Sequence, residues 1–193
     1  MIKRLKTIYP EHTILEEDAA ELFLLDHKGL RNGRFDLELT IVKPNDEHVY
    51  FQNPKQIPVY FDAFPDNAFK NVDGTDCKQC EGIMFPQQCT DGDWILVMEM
   101  KYTNIENAFK KEIGYPGIMI DQIVQSVNHL REKGVIAKGK TIKALLAFPK
   151  LIADFSAFFF TGPRNMEELL KLHNIQMRAK NSAMIKSNIN IKI

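Results

Sequence analysis

The stretch Trp94-Ile95-Leu96-Val97-Met98-Glu99-Met100-Lys101-Tyr102 constrains the fold more than any other part of the chain. Side chains alternate across a strand, so Trp94, Leu96, Met98, Met100 and Tyr102 share one face, and Ile95, Val97, Glu99 and Lys101 share the other. The first face is apolar along its length, and the second is apolar where the strand begins. The second face changes character at its end, where an acid and a base stand two residues apart. Charged groups closing an otherwise buried strand are costly to hold without a purpose.

Glu81-Gly82-Ile83-Met84-Phe85 lies just upstream, and the polar loop from Pro86 to Asp93 joins the two into an antiparallel hairpin. Opposed residues point to the same face, so pairing Ile83 with Val97 and Phe85 with Ile95 continues one apolar surface. The same register sets Glu81 opposite Glu99. Two carboxylates so placed repel unless one is protonated or a cation sits between them. A divalent ion removes that repulsion, and oxygen ligands select a hard one such as Mg²⁺ or Mn²⁺.

Around this hairpin the chain reads as mixed α/β, a single sheet of about five or more strands flanked by helices. Thr13-Ile14-Leu15-Glu16 has the form of a capping box, which predicts a helix to about His27 with Leu15, Ala19, Leu22 and Phe23 on one stripe and Glu17 and Glu21 on another. Strands are expected over 35–42, 49–51 and 59–61, and residues 63–79 read as a loop. A long helix is expected from about Met119 to Lys133, stopped by Gly134, with Ile120, Ile123, Val124, Val127 and Leu130 buried. Gln122, Ser126 and His129 form a separate stripe on it, with Gln125 alongside. Strands should follow over 141–148 and 155–161, then a helix from Met166 to about Arg178 capped by Asn165, and a last strand or tail over 189–193. The 193 residues read as one domain, with a core over 13–161 and a C-terminal helix and tail over 162–193.

Composition narrows the class. Hydrophobic content of 45% and charged content of 26% exclude disorder and a disulfide scaffold. The formal net charge is zero, but residues 1–100 carry 10 Lys+Arg against 18 Asp+Glu and residues 101–193 carry 15 against 7. A basic N-terminus, Met1 to Lys6, is not followed by the apolar segment of a signal peptide, and no run approaches the ~20 apolar residues of a membrane span. Three cysteines, Cys77, Cys80 and Cys89, are an odd number that suits the reduced cytoplasm.

An acidic residue on one strand followed by Glu-x-Lys on its hairpin partner resembles the PD-(D/E)xK nuclease core, also called restriction-endonuclease-like. The resemblance covers roughly residues 13–161 in order of elements and a handful of residues in chemistry. It implies metal-dependent hydrolysis of phosphodiester bonds in DNA or RNA. Glu99 would be a metal ligand, and Lys101 would orient water and stabilise phosphate charge. Glu81 would stand where the family usually has aspartate, with Asp66 of Pro65-Asp66, Asp73 and Asp76 as further candidates. Glu17 or Glu21 would be the extra helix carboxylate, and Gln122 or Gln125 the downstream glutamine. An Mg²⁺ or Mn²⁺ cofactor, a nucleic-acid partner and a homodimer or larger complex belong to the same expectation. The basic residues Arg131, Lys133, Lys138, Lys140 and Lys143 are candidates for following a phosphate backbone.

Two alternatives stand beside this. Cys77-x-x-Cys80 with Cys89 supplies three of the four ligands of a structural zinc site. The chain also suits a non-catalytic α/β binding or regulatory protein that uses the Cys loop as a contact element.

Overall fold

The computed structural model describes residues 1–31, 33–34, 36–71, 73–88, 90, 92–152, 154–159 and 166–193. In chain order the elements are α1 (Ile2–Ile8), β1 (Ile14–Glu17), β2 (Glu21–Asp26), α2 (His27–Leu30), β3 (Leu37–Thr40), β4 (Val49–Gln52), β5 (Val59–Ala63), β6 (Gly82–Pro86) and β7 (Leu96–Met100). They continue with α3 (Ile105–Ala108), α4 (Tyr115–Glu132), β8 (Ile142–Ala147), α5 (Ser156–Phe159), α6 (Met166–His173), β9 (Ile175–Ala179), β10 (Ser182–Ser187) and β11 (Asn190–Lys192). The class is mixed α/β, as the sequence suggests. Two sheets are present rather than the single one expected: a six-stranded sheet in the order β1-β5-β6-β7-β8-β9 and a five-stranded one in the order β11-β10-β4-β2-β3.

The two-faced apolar strand accounts for this layering. Ile83, Phe85 and Val97 pack with Ile120, Ile123 and Val127 of α4. Met84, Leu96 and Met98 point the other way and pack with Leu22, Leu24, Phe51 and Ile185 of the five-stranded sheet. The strands β5, β6 and β7 form an antiparallel meander, and α4 crosses over to β8, which runs parallel to β7. The expected register is observed over the paired stretch, from Gly82 opposite Met98 through Ile83 opposite Val97 to Met84 opposite Leu96, and the strand β7 begins only after Ile95. Pro116 in the first turn of α4 and Gly134 at φ +68° just past its end fit the helix limits.

Four sequence expectations fail. Residues 13–27 form β1, β2 and the start of α2 rather than a helix, because Leu22, Phe23, Leu24 and Leu25 are all buried and a surface helix hides only one stripe. Glu17 and Glu21 are therefore strand residues, paired with Val59 and Gln52. Ser156–Phe159 is a short helix whose Phe159 packs on Phe148 at 5.5 Å, not a strand; Phe160 and Thr161, the end of that expected strand, lie outside the described residues. The helix from Met166 ends at His173, and residues 175–179 instead extend the six-stranded sheet while 182–187 and 190–192 join the other. The C-terminal segment is thus woven into both sheets and is no appended tail, and the sheet core does not end at 161. Asn165, the expected cap, also lies outside the described residues.

Candidate functional site

The end of β7 lies beside β6 on one side and β8 on the other, with Glu99 opposite Leu146 and the Lys101 amide donating to the Ala147 carbonyl at 3.0 Å. Glu99 is wholly buried, on the α4 side of the sheet. Glu81 immediately precedes β6, and its amide donates to the Met98 carbonyl at 2.9 Å rather than to that of Glu99, so the regular pairing ends at Gly82 opposite Met98. Lys101 reaches back between them: its Nζ is 2.6 Å from Glu99 Oε1 and 3.7 Å from Glu81 Oε1. The repulsion between the two acids is answered here by the protein's own ammonium group.

Solvent reaches the three groups unequally. The Glu99 side chain is 0% exposed, while those of Glu81 and Lys101 are 26% and 27% exposed. Burial and then the Glu81 charge push the Glu99 carboxyl well above the usual range, more than Lys101 pulls it down. Burial raises Glu81 as well, against the pull of Lys101. Burial works to lower Lys101, but Glu99 and Glu81 together outweigh it, and the group stays an ammonium. Lys101 is the close partner of Glu99 Oε1, and Oε2 is buried with no hydrogen-bond partner among the described residues.

The site opens into a cleft of about 570 Å³ lined by Asp26, Lys28, Asp66, Glu81, Lys101 and Gln122, among others. Helix α4 fixes one wall. Gln122 Nε2 donates to the Gln79 carbonyl at 2.8 Å, and one turn later Ser126 Oγ accepts from the Cys80 amide at 2.8 Å. These two bonds hold the backbone immediately before Glu81. The other Gln122 amide atom, Oε1, is buried and has no partner among the described residues.

No family model, no curated protein and no solved structure matches this chain. The site stands on its own geometry.

Of the residues singled out from sequence, Glu81, Glu99, Lys101 and Gln122 come together. Asp66 and Asp76 also line the cleft, each in an ion pair, with Lys28 and Lys70 respectively. Glu17 and Glu21 are not part of it: neither lines the cleft, and Glu21 accepts a hydrogen bond from the Tyr50 hydroxyl in the other sheet. Gln125 accepts from Cys77 Sγ at 3.7 Å, and His129 stacks on Phe69 at 4.5 Å within the core. Asp26, Lys28 and Arg31 line the cleft and carried no sequence signal, since they lie where a helix end was expected. A packing detail holds this segment: a Cβ on Gly29 would lie 2.5 Å from both Asp26 Oδ2 and the Tyr102 ring. None of the basic residues Arg131, Lys133, Lys138, Lys140 and Lys143 lines the cleft; Arg131 donates to the His173 and Lys140 carbonyls and Lys143 to the Ile191 carbonyl.

The donor chemistry suits a hard cation better than zinc. Among the described residues no group of three His, Cys, Asp or Glu side chains is arranged to hold a metal. Mg²⁺, however, keeps much of its water and binds through one or two carboxylates plus substrate phosphate. Glu81, which lines the cleft, meets that smaller requirement; Glu99 is wholly buried, does not line the cleft and faces the Lys101 ammonium, so it joins Glu81 at an ion only when Lys101 moves aside. Cys77 and Cys80 are free thiols, and burial pushes Cys80 up to about 12, whereas zinc needs thiolates. Cys89 lies outside the described residues. No helix among the described residues is long and apolar enough to cross a membrane.

Proposed function

We propose that the protein hydrolyses phosphodiester bonds in nucleic acid at Glu81, Glu99 and Lys101. The observation that supports this reading is the convergence of these groups where β6 begins and β7 ends: Glu81 and Lys101 line an open cleft, and behind them the wholly buried Glu99 holds Lys101 Nζ at Oε1 while its Oε2 has no hydrogen-bond partner among the described residues. Buried polar groups are nearly always hydrogen-bonded, so such an exception calls for a ligand or a catalytic role.

Glu81, joined by Glu99 when Lys101 moves aside, would hold Mg²⁺ or Mn²⁺, which when bound supplies a Lewis acid for the phosphoryl oxygen and an acidified water. The chain's own contribution is positioning and charge. Lys101 places a fixed positive charge at the rim, where negative charge grows on a phosphate under attack. Glu99, held in a low-dielectric layer, keeps that ammonium aimed. Gln122 presents an unpartnered carbonyl oxygen that can accept from a water. The two described cysteines being free thiols suits a reducing cytoplasm, where such an enzyme would meet DNA or RNA.

The test is cleavage of single- and double-stranded DNA and RNA with Mg²⁺, with Mn²⁺ and with EDTA. Wild type should cut only with a divalent ion, and Glu81→Gln and Glu99→Gln should lose about 10²-fold or more in rate with unchanged circular dichroism. Folded variants that cut as fast as wild type would overturn the reading.

A further inference from the structure

The cleft at Glu81 and Lys101 continues in two directions. On one side it shares Gly29, Arg31, Tyr102 and Tyr115 with a groove of about 440 Å³ that runs to Lys150. On the other it shares Asp26, Lys28, Asp66 and Glu81 with a groove of about 660 Å³ that runs to Arg34 and Glu38.

The two grooves differ in available charge. Among the described residues the lining of the first includes no carboxylate, and its cations, Arg31 and Lys150, are exposed and form no ion pair with any described carboxylate. The second holds cations that are already committed. Lys28 Nζ is 2.5 Å from Asp66, and Arg34 is 2.6 Å from Asp36 and 2.7 Å from Glu38. Glu11 adds further negative charge there. A phosphate backbone is drawn to unpaired cations and repelled by a carboxylate-lined wall. The first groove also has rings for unpaired bases: Tyr115, and Tyr102, which is fixed by its hydroxyl donating to the Glu47 carbonyl at 2.8 Å.

We propose that a single nucleic-acid strand lies along the Arg31–Lys150 groove with its end at Glu81 and Lys101, and that the Arg34 groove excludes it. The placement of the reacting phosphate rests on the phosphodiesterase reading; the groove and its polarity do not. The protein therefore recognises strand ends rather than the middle of a continuous strand.

The experiment is fluorescence anisotropy of the full chain with an internally labelled single strand of about 15 nucleotides, in EDTA so that nothing is cut. Arg31→Glu combined with Lys150→Glu should weaken binding at least about tenfold and reduce the log–log salt slope by about 1.4, the loss of two phosphate contacts. Lys138→Glu is exposed and precedes β8, at the far end of that strand from Glu99; it should bind like wild type. A covalently closed circle of the same sequence should compete at least about tenfold less well than the linear strand. Wild-type binding too weak to measure, an unaffected double variant, an equal loss in Lys138→Glu or equal competition by the circle overturns the proposal. These readouts are independent of cleavage. A chain that binds as described but cuts nothing loses the phosphodiesterase reading and keeps the groove, and one that cuts without regard to Arg31 and Lys150 does the reverse.

Discussion

Lys101 Nζ stands 2.6 Å from Glu99 Oε1 at the end of a strand buried on both faces, and among the described residues Glu99 has no other counter-charge so close. Removing one partner of a buried pair leaves the other charge stranded, which costs more than the pair itself contributes. Lys101→Met should destabilise the fold by about 3 kcal/mol. Adding Glu99→Gln should recover most of that loss, because a neutral amide replaces the stranded carboxylate. Urea denaturation of the single and double variants measures the coupling. A double variant no more stable than Lys101→Met would mean that the pair is not the source of the loss.

Gly82 follows Glu81 and takes part in the tightest backbone approach near the site. A Cβ there would sit 2.7 Å from the Asp62 carbonyl oxygen on β5, a backbone atom that cannot swing aside. Gly82→Ala should force β5 and β6 apart, cost about 1–3 kcal/mol and move Glu81 away from Lys101. Thermal denaturation and divalent-dependent cleavage should fall together. A variant with wild-type stability would show that the strands accommodate the methyl group.

The legible parts of the sequence were those where the local pattern fixes the buried face. Alternation over 94–102 and over 81–85 fixes which side chains share a face, and of the registers it allows, spaced two residues apart, the observed one sets Ile83 opposite Val97. The stripe on α4 and the stop at Gly134 were equally plain. Residues 13–27 were not, since Leu15, Ala19, Leu22 and Phe23 satisfy a helical period while Leu22 to Leu25 also satisfy a strand hidden on both sides. What decides between them is a second sheet, and no local pattern announces it. The same holds at 175–187, where the chain leaves one sheet for the other. Asn181 sits at that crossing, its side chain accepting from the Phe148 amide and donating to the Phe148 and Leu151 carbonyls. Asp26 and Arg31 join the site only through this two-sheet arrangement.

Ser126 reaches the Cys80 amide from α4, next to the Gln122 bond to Gln79. Both partners of the Ser126 bond are buried, so Ser126→Ala strands a backbone donor and should cost about 1–3 kcal/mol. Gln122→Leu should cost less in stability, because Gln122 is half-buried, but should lower the cleavage rate by loosening the segment that ends at Glu81. Denaturation midpoints and rates on the two variants separate these effects. Equal rates for Gln122→Leu and wild type would remove Gln122 from the site.

His129 supplies the clearest pH dependence. Its ring stacks on Phe69 at 4.5 Å with 17° between planes and faces Tyr9 at 6.4 Å. Burial lowers its pKa below the ordinary 6.5; Lys133 adds to the shift and Glu132 partly offsets it. The folded chain therefore prefers the neutral ring, and on acidification the unfolded chain takes up the proton first. Stability present above pH 6.5 should fall as the pH drops from there through the folded value, and this contribution should level off below it. His129→Phe keeps an aromatic ring on Phe69 and removes the titration. Urea midpoints measured across that range should flatten in the variant, leaving the carboxylate-driven loss at lower pH in place. A variant that declines as steeply as wild type from pH 6.5 downward would show that another group carries the dependence.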